Sequence, residues 1–271
     1  MLPVTVLLRT WNAGGYLRPL LETLAAQTRP PDEILVVDSQ STDGTPEGAA
    51  RAGARVIPIP KASFTHAVST NLGFREARGE IVAMLSQDAL PCDAHWLARL
   101  TAPLADPDTA AVFGRQRPRP GCFPLERWEL ERSYPPGPPP GVAYSNVNSA
   151  ARRSVWRTTP FDESVTIAED RLWARSVTGA GLRVVYEPAA SVWHSHRYSL
   201  REVYRRCREE AASRRTVEGR TETVGLLLKA WPRQTARDAR RLAAEGTLLT
   251  WPHAAAYRFA QFAGMMAGGR P

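Results

Sequence analysis

Cysteine is scarce: Cys92, Cys122 and Cys207 are the three in 271 residues, far apart and in no metal-ligand spacing. An odd, scattered set excludes a disulfide framework and a cysteine-based zinc site, and points to a reducing compartment. Long apolar runs are missing too. No segment approaches the roughly 18 apolar residues of a membrane span. The first residues lack the basic start and apolar stretch of a secretory signal, so a cytoplasmic protein is expected. There is no GxxxxGK[ST] phosphate loop, and no GxGxxG turn follows the first strand candidate, which argues against P-loop and dinucleotide-binding enzymes. No zinc finger, RNA-recognition signature or heptad-linked basic region is present, so no nucleic-acid partner is expected.

What is present suits a folded protein: 43% apolar and 23% charged residues supply a sizeable core. The net charge of +8 gathers between positions 197 and 241, with Arg205, Arg206, Arg208, Arg214 and Arg215 among its sources. Such a stretch suits a solvated helix face, nucleic acid, anionic lipid headgroups or a diphosphate, and charge alone does not choose.

Short β-branched apolar runs at 4–8, 34–37, 55–59, 81–85 and 110–113 alternate with amphipathic stretches at 16–27, 45–52 and 67–77. The alternation predicts a mostly parallel sheet covered by helices. Segment 117–141 is dense in proline and ends in PPGPPPG, so it is expected to be extended or looped. Its Trp128 and Tyr134 read equally as packing or as the wall of a binding site. Strand character returns at 143–147 and 184–186. From Leu200 onward the pattern is helical, at 200–216, 223–245 and 252–266, with Pro232 expected to kink or break the second helix. There Leu228, Trp231, Leu249, Trp251 and Phe259 interleave with basic residues, as on an amphipathic surface.

Open parallel sheets bind ligands beyond the carboxyl ends of their strands. Polar clusters follow three of the strand candidates: Thr10-Trp11-Asn12, the run from Asp38 through Ser41 to Gly44, and Ser86-Gln87-Asp88. Asp38 can accept hydrogen bonds from an imide N–H or a ribose hydroxyl, while Ser41, Thr42 and Asp43 read equally as caps of the next helix. A diphosphate held without a phosphate loop calls for a divalent cation, which prefers carboxylate oxygen and, for manganese, accepts imidazole. Asp88 and the WHSH pair His194 and His196 are the candidate ligands, although paired histidines are commonly hydrogen-bonded structure. Glu169 and Asp170 precede the helical pattern 171–178, where a helix N-terminus supports negative charge. Either is a candidate general base toward a hydroxyl, or simply a first-turn acid.

Taken in order, VTVLLRTWNAGGYLRPLLETLAAQT, ILVVDSQSTDGT, NLGFREARGEIVAMLSQDALP and AEDRLWARSVTGAGLRVVYEP resemble the inverting glycosyltransferases of family 2. Within that family SQDALP, FGRQRPRP, YSNVNSAARRSVW, IAEDRLWA and VWHSHRYSL are most similar to bacterial rhamnosyltransferases that use dTDP-L-rhamnose. The resemblance implies an α/β chain with the GT-A nucleotide-diphospho-sugar transferase fold over 1–199, divided into a nucleotide-sugar-binding half (1–115) and an acceptor and catalytic half (116–199). A basic amphipathic helical extension follows at 200–271.

Carried onto these residues, the resemblance implies that Thr10 and Asn12 line the nucleotide and Asp38 meets the base. Ser41 and Gln87 lie beside the donor, Asn71 near the diphosphate and His66 toward the sugar. Asp88 belongs to the site of Mn2+ or Mg2+ and diphosphate, with His194 or His196 completing the metal shell. Asp170 is the implied catalytic base, Glu169 supports it or meets the acceptor, and Trp128, Asn146 and Asn148 fall on the acceptor side. Two departures stand out: the usual DxD reads Gln87-Asp88-Ala89, and the arginine that often precedes Asn71 is Thr70.

The implied reaction is inverting transfer of L-rhamnose to a hydroxyl of a glycan or lipid-linked acceptor in cell-surface polysaccharide synthesis, with a UDP- or GDP-sugar as the alternative donor. The basic helices imply either a peripheral membrane surface or a homodimer contact. Two rivals remain. A nucleotidyltransferase would want a basic glycine-rich loop where Trp11-Asn12-Ala13-Gly14-Gly15 stands. A non-catalytic nucleotide-sugar or glycan-binding module would not need Asp88, Glu169, Asp170 and His194 together.

Overall fold

The alternation in VTVLLRT settles where the first strand goes: Val4, Val6 and Leu8 enter one apolar layer and Leu7 the other. The computed structural model describes residues 2–138, 144–165, 167–218 and 224–268. In chain order its elements are β1 (Val4–Thr10), α1 (Leu17–Ala25), β2 (Glu33–Asp38), α2 (Thr45–Arg51), β3 (Arg55–Pro58) and α3 (His66–Glu76). Then come β4 (Ile81–Ser86), β5 (Leu90–Pro91), α4 (Trp96–Thr101), β6 (Thr109–Arg117), α5 (Pro124–Ser133), β7 (Asn148–Arg152) and α6 (Arg153–Thr158). The chain continues through α7 (Glu169–Gly179), β8 (Arg183–Trp193), α8 (Leu200–Glu218), α9 (Val224–Ala244) and α10 (Trp251–Gly268).

The strands form one sheet in the order β3-β2-β1-β4-β7-β6-β8-β5. Pairing is parallel from β3 to β4 and between β6 and β8, and β7 runs antiparallel between β4 and β6. Leu17, Leu20, Leu24, Trp96 and Leu97 cover one face of the sheet. Phe74, Phe161, Trp173 and Val177 cover the other. The register sets Thr10 against Asp38 and Arg9 against Ser86, so the polar clusters after β1, β2 and β4 share one edge, as expected for a parallel sheet.

Two sequence expectations are corrected. The strand placed at 143–147 is β7 at Asn148–Arg152. Its NSAAR sequence carries no β-branched signal, but it pairs on both sides with β4 and β6, and that tertiary context overrides local propensity; Ala143 lies outside the described residues. Segment 117–141 contains a helix, α5, because Pro124 stands in its first turn, where no N–H is needed, and the next proline is Pro135. Of the kink or break expected at Pro232, the break does not occur: helix α9 continues through it. The short β5 and helices α4 and α6 carry too few residues for a periodic signal.

The chain forms two units. The first, made of residues up to Pro120, Glu129–Ser164 and Glu169–Ser195, contains the sheet. The second comprises Gly121–Trp128, Val165–Ala168 and the chain from His196 onward. Its own core is built by Leu125, Trp128, Val203, Leu242, Ala254 and Tyr257, and a buried Arg258–Asp238 ion pair ties α10 to α9 at 2.8 Å. Among the described residues no helix is long and apolar enough to cross a membrane.

Gly114 marks the tightest point of the sheet: a Cβ there would lie 2.0 Å from the Ala190 carbonyl oxygen and 2.4 Å from Asn148 Nδ2. We predict that Gly114→Ala lowers unfolding stability by about 1–3 kcal/mol or more through overpacking. Gly179→Ala, in open space at the end of α7, is expected to be neutral or stabilising by at most about 1 kcal/mol. Urea titrations of both variants check the contrast.

Candidate functional site

Asp38, at the end of β2, is 2% exposed. Its carboxylate accepts hydrogen bonds from Thr10 Oγ1 at 2.7 Å, Ser41 N at 2.9 Å and Ser41 Oγ at 2.6 Å. Ser41 Oγ in turn accepts from Asn12 N at 2.7 Å, and Asn12 Oδ1 accepts from Thr42 N at 2.8 Å. Asp43 accepts from Gly14 N and from both donors of Thr45. The acids after β2 therefore knot two loops together at the sheet edge. Asn12 (φ 46°) and Gln40 (φ 54°) take left-handed backbone within this knot, and Ala168 (φ 70°) does so just before α7. Asparagine tolerates that conformation, whereas glutamine and alanine rarely adopt it, and such residues cluster at functional sites.

Gln87, the residue ahead of Asp88, accepts from Trp11 N at 2.8 Å and donates to Trp11 O at 3.2 Å. The first position of the altered DxD thus clamps the β1 loop, leaving Asp88 as the carboxylate of that segment. His194, just beyond β8, is buried, and its Nδ1 lies 2.9 Å from Gln116 Oε1. That oxygen only accepts, so the proton sits on Nδ1. The other ring nitrogen, Nε2, lies 3.7 Å from Asp88 Oδ1. A carboxylate beside an imidazole whose far nitrogen is anchored in this way is a chemically suitable donor set for Mn2+ or Mg2+. Arg119 donates to the Asp88 carbonyl and lies over the Tyr16 ring. His196 opens the second unit, where its ring stacks on Tyr198 at 4.6 Å and its N–H donates to Glu126.

The other titratable centre is the first turn of α7. Glu169 is buried and Asp170 half-buried. Burial, reinforced by the Asp170 charge, pushes the Glu169 carboxyl up to about 7. Burial also raises Asp170, against the opposing pull of the Asn146 and Arg171 N–H groups and the Arg171 and Arg9 charges. Those N–H groups lie 3.2 Å from Oδ2 and 2.7 Å from Oδ1. Two such carboxyls titrate as a unit, and a proton acceptor tuned toward neutrality is what general-base chemistry requires. Asn146 is 2% exposed, and its side chain lies close enough to Glu169 to oppose the rise of that carboxyl, although among the described residues neither of its side-chain atoms reaches full hydrogen-bond geometry.

Several expected contact residues are committed to the scaffold. The Asn71 amide is filled by Phe161, Glu163 and Trp156. Asn148 holds Trp96 Nε1 and the Arg115 and Ala190 carbonyls. Trp128 belongs to the second unit, donating to Glu245 beneath Arg241. His66 starts α3, and its Nδ1 accepts from Arg9 Nη1 at 3.2 Å.

Arg9 and Arg119 were not singled out by the sequence reading. For Arg9 a signal exists: in VTVLLRT it shares a face with the buried Leu7, where a central strand ordinarily places an apolar residue.

The Glycosyl transferase family 2 model matches residues 5–167, more than half the chain. The chain belongs to glycosyl transferase family 2. This glycosyltransferase is 31% identical to the O-antigen chain rhamnosyltransferase RfbN of Salmonella typhimurium, over 75% of this chain and 69% of that protein. It is 30% identical to the O-antigen chain rhamnosyltransferase WbaN of Salmonella anatum, over 74% and 69% respectively. Its fold is similar to that of a mannosyltransferase from Pyrobaculum calidifontis solved in complex with GDP-Man and Mn2+. There the TM-score is 0.68 at 22% identity, covering 98% of this chain and 86% of that one. The glycosyltransferase has the GT-A fold.

Because three donors converge on Asp38, we predict that Asp38→Asn, which sets an amide N–H against them, costs about 1–3 kcal/mol of stability. Thr42→Ala removes an exposed side chain and is expected to change stability by less than about 0.5 kcal/mol. Equal effects in urea unfolding would contradict the clamp.

Proposed function

We propose that this family 2 enzyme transfers L-rhamnose from dTDP-L-rhamnose, with inversion, to a hydroxyl of a glycan or lipid-linked acceptor in cell-surface polysaccharide synthesis. The observation that carries the reading is the Glu169–Asp170 pair, two carboxyls brought together at a helix start with their protonation raised toward neutrality. The rhamnosyltransferase names of the two Salmonella relatives favour the donor. Thr10, Asn12, Asp38, Ser41, His66, Asn71, Gln87 and Asp88 are the donor-side residues. Asp88 and His194 would hold the divalent ion.

Asp170 takes the proton of the acceptor hydroxyl as that oxygen attacks the anomeric carbon from the side opposite the leaving diphosphate. The new C–O bond forms while the bond to diphosphate breaks, so configuration inverts and no covalent enzyme intermediate arises. Glu169 orients the acceptor or shares the proton with Asp170. A bound Mn2+ or Mg2+ supplies Lewis-acid neutralisation of charge on the diphosphate.

In the second unit Leu228, Leu248, Leu249, Trp251 and Phe259 are exposed, next in the chain to exposed Lys229, Arg233 and Arg237. This face is the proposed contact with an anionic membrane surface, where basic and aromatic side chains work together. Cosedimentation with anionic vesicles at low salt, lost at high salt, is the expected outcome; no cosedimentation in either condition removes the membrane contact.

The donor is tested by thermal unfolding with dTDP, dTDP-rhamnose, UDP and GDP, each with and without Mn2+. A ligand that binds only the folded state raises the midpoint. A metal-dependent shift with the dTDP ligands that is lost in His194→Ala is expected; a shift with UDP or GDP alone overturns the rhamnose reading. The base is tested in the same system. Asp170→Asn is expected to keep the donor-induced shift and lose about 10²-fold or more in turnover, whereas undiminished turnover sinks the assignment.

A further inference from the structure

Arg9 is the one cation on the central strand β1, between Leu8 and Thr10, and the register fixes its backbone between Val37 of β2 and Ser86 of β4. Its side chain is half-buried and reaches the first turns of α3. There Nη1 alone meets three acceptors: His66 O at 3.2 Å, His66 Nδ1 at 3.2 Å and Thr70 Oγ1 at 3.1 Å. Among the described residues Nε and Nη2 make no hydrogen bond, although a guanidinium carries five N–H donors in a fixed fork. Thr70 Oγ1 is itself held by the His66 carbonyl at 2.7 Å.

Helix α7 lies on the same side of the sheet as α3, because Trp173 and Val177 share a core layer with Phe74 and Leu7. Strand β8, into which α7 leads, runs in the same direction as β1, so the first turn of α7 lies at the sheet edge that carries Arg9, and the Glu169 and Asp170 charges oppose the downward pull of burial on Arg9. Other groups also face the pair. Arg171 follows it on α7, Tyr134 and Tyr144 are pushed up partly by its charge, and Asn146 presents its N–H to Asp170. Arg9 is the cation of this set that is tied to a second element by side-chain hydrogen bonds.

We propose that Arg9 is a positioning residue: held from α3, its guanidinium sets the charge of the Glu169–Asp170 pair and keeps one of the two carboxyls ionised to receive the acceptor proton. This rests on the reading of Asp170 as the base. A neutral residue at position 9 leaves two desolvated acids with Arg171 as the nearest charge on their own helix, and both then retain protons to higher pH.

The test is unfolding of the intact chain across pH, which needs neither donor nor acceptor. A carboxyl whose folded pKa exceeds its unfolded one stabilises the fold fully below the unfolded value, and that contribution is lost as pH rises through the folded value. For Glu169 the loss runs from 4.5 to about 7, after which the wild-type curve flattens. In Arg9→Met the loss continues to higher pH, so the gap in unfolding midpoint to wild type widens between about pH 5 and about pH 8. Arg9→Lys keeps the charge and shows a smaller widening.

A gap of constant size overturns the proposal and makes Arg9 a structural tie to α3. Imidazoles titrate in the same window and His66 touches Arg9. A widening that survives in the Glu169→Gln, Asp170→Asn background therefore belongs to His66 and also overturns it. Asp170→Asn turnover reads the base separately: a widening gap with an active Asp170→Asn leaves Arg9's control of the charge standing and removes only the base. A constant gap with an inactive Asp170→Asn removes only Arg9's role.

Discussion

Two adjacent carboxyls drawn out of water at the start of α7 are the constraint to which the rest of the first unit answers. Desolvation and mutual repulsion both oppose their ionisation, so the pair is tolerable only where N–H groups and cations stand close. The turn before β7 supplies the Asn146 N–H, α7 its own Arg171 N–H, and β1 the Arg9 guanidinium. An acid kept near neutrality by such opposing effects is suited to taking a proton from a hydroxyl at physiological pH. The same arrangement would be a liability in a protein that only binds.

Holding those groups still requires a rigid sheet edge. Parallel register sets Thr10 level with Asp38 and Arg9 level with Ser86, and the Asp38 carboxylate then ties β1 to the loop after β2 through Thr10 and Ser41. Gln87 closes the third side by gripping the Trp11 backbone. Asp88 and His194 are left on this framework at 3.7 Å with the imidazole tautomer fixed by Gln116. Asp38, Asn71 and Asn148, all expected beside the ligand, also carry hydrogen bonds of the frame that aims the others.

Much of this was legible in the residue order. The strands from β1 to β4 declare themselves because buried parallel strands are continuous β-branched runs, and the polar residues after them lie where such sheets bind ligands. Glu169, Asp170, Asp88 and His194 were recognisable as acids and imidazoles placed just outside regular elements. The parts that were not legible depend on partners distant in the chain. Strand β7 is made by the two strands that flank it, and α5 hides in a proline-rich stretch whose prolines fall at its ends. Asn71 looks like a ligand until Trp156 and Phe161 are seen to occupy its amide. Arg9 acquires meaning only when α3 and α7 are laid on the same face.

The most direct measurement is the protonation of the carboxyl pair itself, followed by carbon-detected NMR of side-chain carboxyls through a pH titration. The account predicts a glutamate carboxyl that titrates at about 7, far above its ordinary range, whose signal disappears in Glu169→Gln and moves when Asp170 is replaced. If every glutamate and aspartate carboxyl titrates below about 5, in the range of ordinary exposed acids, the pair is not desolvated and the account of the site is contradicted.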